Sequence, residues 1–494
     1  MDGSFDVGLQ IYNTMSQQKE EFIPLKAGEV KLYLCGPTVY GLLHVGNFRG
    51  PTVFNLIRNW LEKSGYKVQY VYNYTDVDDR IINRAIEEKV DALEIAEKYI
   101  GEFELDYAAM KLGPHSANPR VTETMPEIVA MIQSLIEKDK AYVVEGEVLF
   151  SVRSFKDYGK LSNKNMDDLQ ASERVEVDRK KRDPMDFALW KPAKPGEPKW
   201  SSPWGEGRPG WHIECSAMIE KLMGSSIDIH GGGMDLIFPH HENEIAQSEG
   251  CSGHPFVKYW MHNNMITLGE RKMSKSVGNI MTVREFIQTY NAEILKYMLL
   301  SVHYRSLSDF SDQGVSFAIT NLARIYSSLA HAERLLASAP LDLASGKAAP
   351  AMLKAIDEAR KSAQLALDDD FNTPEFFAAL FSLVRVFNGQ MRLAPKITAD
   401  HKATVEAFRN FILDQGKLMS LFQEAPLEYL GLLDDMLLQQ KNLERSKIDE
   451  LVDLRIQARM AKDFKKSDEI RDLLAQMGIA IQDSPQGTAW EVAK

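Results

Sequence analysis

Cysteine is scarce in this chain: its 494 residues include three, Cys35, Cys215 and Cys251. So few rule out a disulfide framework and leave metal binding or catalysis as uses for any that matter. Long apolar runs are also missing. No uncharged stretch approaches the roughly 18 residues that span a bilayer, and Met1-Asp2-Gly3-Ser4-Phe5-Asp6 lacks the basic flank and apolar run of a signal peptide. No membrane association is expected, and the expected location is the cytoplasm. Basic excess is absent too, since 58 Lys and Arg against 70 Asp and Glu give a net charge of −12. That argues against a protein that coats nucleic acid but leaves room for local basic faces. One candidate is Arg179-Lys180-Lys181-Arg182, and another gathers Arg455, Arg459, Lys462, Lys465, Lys466 and Arg471. Either reads equally well as solvated surface.

What remains is an ordinary globular composition, 44% hydrophobic and 26% charged, on a chain too long for one core. Val30-Lys31-Leu32-Tyr33-Leu34-Cys35 alternates as a strand and runs into Gly36-Pro37; an amphipathic helix follows over about residues 46–64, then a strand over 68–73. This is a βαβ unit, which requires a parallel, right-handed crossover. A second strand-and-turn unit, Ile227-Asp228-Ile229-His230 before Gly231-Gly232-Gly233, precedes a helix around 241–248. The fold class is therefore α/β, a Rossmann-like parallel-sheet domain split in two. The expected division is 1–116 for the first half, 117–200 for an inserted connective domain with a hairpin over 142–150, and 201–265 for the second half. A loop-bearing region follows over 266–311. Beyond it Val315, Ile319, Leu322, Ile325, Tyr326 and Leu329 share one helical face, which predicts an α-helical bundle over 312–440. A small C-terminal domain, 441–494, combines a basic helix over about 448–477 with a hairpin through Ser484-Pro485-Gln486-Gly487.

Three groups of residues carry chemistry. The first turn places His44, Gly46 and Asn47 in His44-Val45-Gly46-Asn47 as the chain enters a helix, where free N–H groups and the helix dipole favour a phosphate. Taken alone, such a histidine is more often a cap. Lys272-Met273-Ser274-Lys275-Ser276 puts two lysines three apart, able to neutralise charge as pyrophosphate leaves. Alone it is an ordinary basic turn; in this order, on a split βαβ fold, the pair predicts ATP chemistry. The third group is Phe238-Pro239-His240-His241-Glu242-Asn243-Glu244, in which His240 and Glu244 lie at i and i+4 on one helix face. With Cys35 and Cys215 they supply two thiolates, an imidazole and a carboxylate, a set that suits zinc. His230 and His241 are alternative members, and Cys251 is a bystander.

Together these motifs resemble those of class I aminoacyl-tRNA synthetases, and the metal set is similar to that of their cysteine-specific branch. The resemblance spans nearly the whole chain, including Cys35-Gly36-Pro37-Thr38-Val39-Tyr40, Asn73-Tyr74-Thr75-Asp76-Val77-Asp78-Asp79, Met185-Asp186-Phe187-Ala188-Leu189-Trp190-Lys191 and residues 210–216, 231–248 and 455–474. It implies Cys35, Cys215, His240 and Glu244 as ligands of one Zn²⁺. It also implies Thr75, Trp211 and His230 in the amino-acid pocket, Gly232 and Asp235 beside the adenosine, and His44, Gly46, Asn47, Lys272 and Lys275 around the phosphates. The implied partners are ATP with Mg²⁺, L-cysteine and tRNA(Cys), on a monomer, with Arg459, Phe464 and Asp468 at the anticodon. Two positions depart from the family pattern. Asn47 replaces the second histidine of the first motif and still donates to phosphate; Phe464 stands where some relatives carry tryptophan and still stacks on a base. Four protein ligands ordinarily close a zinc site, so thiol recognition requires five-coordination or a weakly held Glu244. The rival reading is a ligase that passes the same cysteinyl-adenylate to a small amine such as an amino sugar. A helical bundle with a distant basic module argues for tRNA instead.

Overall fold

The computed structural model describes residues 8–164, 180–268, 271–272, 281–340, 343, 346–391, 397–484 and 487–494. At its centre lie four parallel strands, β1 (Glu29–Leu34), β2 (Lys67–Tyr72), β3 (Ile227–Gly233) and β4 (Val257–Asn263), in spatial order β4-β3-β1-β2. Register pairs Leu34 with Tyr72 on one side and with Gly231 on the other, and His230 with Trp260. Alternation along the strands divides the interior. Leu32, Leu34, Tyr70 and Tyr72 pack into one core, whereas Tyr33, Val71 and Trp260 enter a second core on the opposite face. Both faces are covered, as a parallel sheet requires.

Helix α1 (Arg49–Lys63) makes the crossover from β1 to β2, buries Phe54, Leu56, Ile57 and Leu61, and stops at Ser64 before Gly65, whose φ is +95°. It packs so closely on β3 that a Cβ on Gly231 would fall 2.1 Å from the Phe54 ring. At the β1 turn, a Cβ on Gly36 would stand 1.6 Å from the Asn73 carbonyl oxygen, so only glycine lets the two strand ends approach. Helix α2 (Trp211–Met223) and helix α3 (Glu242–Ser252) complete the second half. The helix expected around His241 is α3, and a single wider turn, Ile237–His241, precedes it, so His240 enters the site from that turn rather than from the helix itself.

The intervening segment folds as a four-stranded antiparallel sheet, Ala141–Val144, Glu147–Phe150, Phe187–Pro192 and Gly207–Pro209, the last of these just past residue 200. In the expected basic run Lys180 pairs with Glu145 and the Arg182 guanidinium covers the Tyr142 ring at 4.0 Å, while Arg179 lies outside the described residues. A short strand, β5 (Ile266–Leu268), leaves β4 and pairs with β6 (Ser308–Asp309).

Helices then take over: α4 (Ala292–Leu300), α5 (Asp312–Ala337), α6 (Pro350–Asp368), α7 (Thr373–Met391), α8 (Ala399–Met419) and α9 (Pro426–Gln440). All six apolar residues expected on the α5 face are buried and join the core beneath α1. Polar contacts fasten α1 to this bundle: the Asn55 amide donates to Ser420 Oγ at 3.0 Å, Asn59 to the Leu418 carbonyl at 2.9 Å and Trp60 Nε1 to Asp368 at 3.0 Å.

The tail differs from expectation in one respect. Its basic stretch forms two helices, α10 (Arg445–Met460) and α11 (Phe464–Gln476), because Lys462 turns left-handed at φ +62° and Asp463 caps the second helix by accepting from the Lys466 N–H. Strands β7 (Ile479–Ser484) and β8 (Gly487–Val492) follow as an antiparallel pair. A third, smaller core of Ile448, Val452, Ile470, Leu474, Ile479 and Val492 holds this unit together. No described helix is long and apolar enough to cross a membrane.

Candidate active site and metal centre

The spatial strand order reverses direction between β1 and β3, so their carboxyl ends diverge and leave a crevice where ligands of such sheets bind. Cys35 follows β1 directly. Cys215 comes from one turn inside α2, His240 from the wider turn and Glu244 from the first turn of α3. Their ligand atoms all lie within 4.8 Å of one another. The two sulfurs are 3.8 Å apart, Cys35 Sγ is 3.7 Å from Glu244 Oε1, and His240 Nε2 is 3.0 Å from the same oxygen. A second set sharing Cys35 and Glu244, with His230 and His241, satisfies the same closeness. The structure thus retains both ligand choices that the sequence leaves open. His230 Nε2 lies 2.8 Å from Glu244 Oε2, and His241 Nε2 is buried without a hydrogen-bond partner.

Charge in this cluster follows from burial and proximity. Burial works against the His240 imidazolium, yet Glu244 and Cys215 raise His240 to about 10. Burial likewise opposes the Glu244 carboxylate, but His230 and His240 hold it down at about 2. The hydrogen bond from Cys35 lowers Cys215 to about 6, while burial and that same thiolate push Cys35 up. A group of two sulfurs, an imidazole and an ionised carboxylate, buried except for half-buried Cys35, has the donor chemistry of a zinc site.

Further histidines, unforeseen from sequence, stand behind the cluster. His212 Nδ1 meets His240 Nδ1 at 2.9 Å, and His241 Nδ1 meets His262 Nε2 at 2.8 Å. Burial lowers the pKa values of His212 and His262, so each presents a neutral ring. Partners of this kind fix ring orientation around a metal. His212 could have been found, since it lies three residues before Cys215 on one helix; His262 has no local signal.

An open cavity of about 450 Å³ runs from Cys35 along the crevice. Its lining includes His44, Gly46 and Asn47, then Trp211, Gly232 and Asp235, and Asn263, Asn264, Met265 and Ile266. The His44 turn is self-bracing: the Asn47 N–H donates to the His44 carbonyl at 2.9 Å and the His44 N–H donates to Asn47 Oδ1 at 3.1 Å. Residues beyond the Lys272–Ser276 motif return to this turn, with the Val45 N–H donating to the Met281 carbonyl and the Val283 N–H to the Leu43 carbonyl. Lys272 stands on a short strand paired with β5, and Lys275 lies outside the described residues.

The residues expected to hold the amino acid divide into two groups. Trp211 faces the cavity, 37% exposed, with its ring stacked 4.3 Å from that of His240. Thr75 and His230 are buried and fall outside the cavity lining, His230 being stacked on Trp260 at 4.5 Å. In the C-terminal unit Phe464 is 64% and Met460 80% exposed. Arg459 pairs with Asp483, which Arg455 also holds, and Asp468 pairs with Arg471 at 3.2 Å.

A four-stranded parallel sheet whose two halves are separated by an inserted antiparallel sheet, a turn of His44, Gly46 and Asn47 lining the crevice and a trailing helical bundle make the architecture of a class I aminoacyl-tRNA synthetase. Comparison with known proteins agrees. Residues 21–320 match the family described as "tRNA synthetases class I (C) catalytic domain", and residues 364–423 match the DALR domain. In fold the chain is similar to Mycobacterium tuberculosis methionyl-tRNA synthetase in complex with methionyl-adenylate, at a TM-score of 0.60 and 14% identity over 81% of this chain and 93% of that one. It is also similar to an Agrobacterium radiobacter LeuRS in a ternary complex, at a TM-score of 0.57 and 11% identity over 83% and 86%. In sequence it is 58% identical to the cysteine–tRNA ligase of Bdellovibrio bacteriovorus, over 98% of this chain and 100% of that protein. The corresponding protein of Geobacter sulfurreducens is 47% identical over 98% and 100%. The chain belongs to the cysteine–tRNA ligase family.

Proposed function

We propose that this chain activates L-cysteine with MgATP and transfers it to tRNA(Cys). The observation that carries the reading is the cluster of half-buried Cys35 with buried Cys215, His240 and Glu244, placed where the crevice of the parallel sheet opens into the cavity. In the first step the cysteine carboxylate attacks the α-phosphate of ATP, giving cysteinyl-adenylate and pyrophosphate. In the second, the 2′-OH of the terminal tRNA adenosine displaces AMP. No protein nucleophile is required; the chain aligns reactants and stabilises charge.

The same reading gives each residue a role. His44, Gly46 and Asn47 cradle phosphate at the helix entry, Gly232 and Asp235 border the adenosine, and Lys272 and Lys275 neutralise the departing pyrophosphate. Trp211 closes over the amino acid, with Thr75 and His230 behind it. Cys35, Cys215, His240 and Glu244 hold zinc, which when bound supplies a soft Lewis acid that prefers sulfur to a hydroxyl. Such a preference answers a selectivity problem, because a plain pocket gains only about 1–3 kcal/mol from a one-atom difference such as that between cysteine and serine. Glu244 also has a hydrogen-bond partner in His230 at 2.8 Å. Arg459, Phe464 and Asp468 serve the anticodon. The domain boundaries given above then divide labour between activation, over 1–311, and tRNA placement, over 312–494, in a cytoplasmic monomer.

The test uses the purified chain with ATP, L-cysteine and unfractionated tRNA. Cysteine-dependent exchange of pyrophosphate into ATP together with charging of tRNA is expected. Exchange without charging would favour the small-amine acceptor, and absence of exchange would overturn the reading.

A further inference from the structure

Arg49, the first residue of α1 and two positions beyond Asn47, is fully buried. Its guanidinium donates to four backbone carbonyls: Nη1 to Asn264 at 2.9 Å and Met265 at 2.8 Å, Nη2 to His303 at 3.2 Å and Ser306 at 2.6 Å. Among the described residues no carboxylate pairs with it. Burial brings it down to about 10, so it remains charged at neutral pH. A buried cation without a counterion is costly, and a chain that needed only an apolar filler here would be better served by leucine or methionine. What arginine alone supplies is a rigid planar fork that reaches several acceptors at once.

The acceptors lie on two segments, and their location gives the fork its use. Asn264 and Met265 join β4 to β5 and, with Ile266, line the cavity, as do His44, Gly46 and Asn47 of the turn that leads straight into Arg49. The His303–Ser306 segment leads into β6, which pairs with β5. That segment is fixed from its far side by Asp370 of the helical bundle. This fully buried carboxylate accepts from Tyr304 Oη at 2.7 Å, Arg305 Nε at 2.7 Å and the Tyr12 N–H at 2.9 Å.

We propose that Arg49 is a positioning residue of the nucleotide cleft, tying the Asn264–Ile266 wall to the His44–Asn47 turn so that both stand ready at the spacing ATP requires. The inference rests on the ATP-dependent reading above. It acts through backbone geometry, and Arg49 itself does not contact the reacting atoms.

The test is Arg49→Lys, which keeps the charge but replaces the fork with a single ammonium of three donors. In cysteine-dependent pyrophosphate exchange, kcat should fall about 30- to 100-fold and the KM for ATP should rise several-fold, since misplacement by about 1 Å can cost 10²-fold. The KM for cysteine and the zinc content should stay within about twofold of the parent. A folded Arg49→Lys variant with kcat and ATP KM within about twofold of the parent would overturn the inference, as would a parallel loss in cysteine KM. Should that variant not fold, Asp370→Asn loosens the 303–306 segment from the other side, and the same split between ATP and cysteine is expected. Unchanged ATP parameters there would overturn it equally. Where both single variants fold, the double variant should lose less than the product of their effects, because they act on one segment; a fully multiplicative loss contradicts the clamp. A parent enzyme without exchange refutes the activity and this inference together, whereas an active parent matched by Arg49→Lys refutes only the role of Arg49.

Discussion

Replacing Glu244 by glutamine gives a sharp test of the metal centre, because shape is kept and only charge and one acceptor are lost. Glu244 is fully buried, with His230 Nε2 at 2.8 Å from one oxygen and His240 Nε2 at 3.0 Å from the other. An amide can accept from one imidazole but must turn its NH₂ toward the second. Removing one partner from a buried charged pair costs about 3–5 kcal/mol, and that is the destabilisation expected for the metal-free protein in urea. Metal affinity should suffer separately. Zinc binding by four ligands contributes about 10–16 kcal/mol, so one ligand accounts for roughly 2.5–4 kcal/mol, or about 10²- to 10³-fold in Kd. Competition against a chromophoric chelator measures the Kd, and urea titration of the metal-free form measures the stability. A Glu244→Gln protein that binds zinc within about threefold of the parent, or that unfolds at the parent's urea midpoint, would refute the assignment of Glu244 to the centre.

Three further outcomes are expected. Asn55→Ala removes an amide that bridges Ser420, Arg58 and the Gly113 N–H at the seam between α1 and the bundle, leaving buried donors unpaired; a loss of about 2–3 kcal/mol in urea is expected, and an unchanged midpoint contradicts the seam. Burial lowers His115 to about 4, so between the unfolded value near 6.5 and the folded value the unfolded chain binds the extra proton. Stability contributed by neutral His115 is therefore full above about pH 6.5 and falls on acidification, by about 2 kcal/mol at pH 5, and His115→Gln should flatten that slope in urea titrations at pH 7 and pH 5. Phe464→Ala should weaken tRNA charging by about 1–3 kcal/mol in kcat/KM while leaving pyrophosphate exchange unchanged, and equal loss in both assays would remove Phe464 from the anticodon surface.

Much of this architecture was legible because its signals are local. Alternation in Val30-Lys31-Leu32-Tyr33-Leu34 and the Gly65 stop define β1, α1 and β2, and the helical spacing of Val315 to Leu329 defines the buried face of α5. The four candidate metal-binding residues could be grouped because their chemistry is rare in a chain with three cysteines. Features that depend on partners distant in sequence were not legible. His262 meets His241 only because β4 lies beside β3, and the four carbonyls held by Arg49 come from two segments more than 200 residues away. The break in the tail between α10 and α11 escaped notice because Met460-Ala461-Lys462-Asp463 contains neither glycine nor proline, and the left-handed turn falls on a lysine.

Selection of the substrate by its sulfur is the role proposed for the metal centre. The direct measurement is amino-acid-dependent pyrophosphate exchange by the zinc-stripped and zinc-reconstituted enzyme, with cysteine and serine side by side. Exchange with cysteine should collapse on stripping and return with zinc, and serine should remain a poor substrate of the reconstituted enzyme by far more than the roughly 10- to 200-fold that a plain pocket allows. A stripped enzyme that activates cysteine at the normal rate while still rejecting serine would contradict the account.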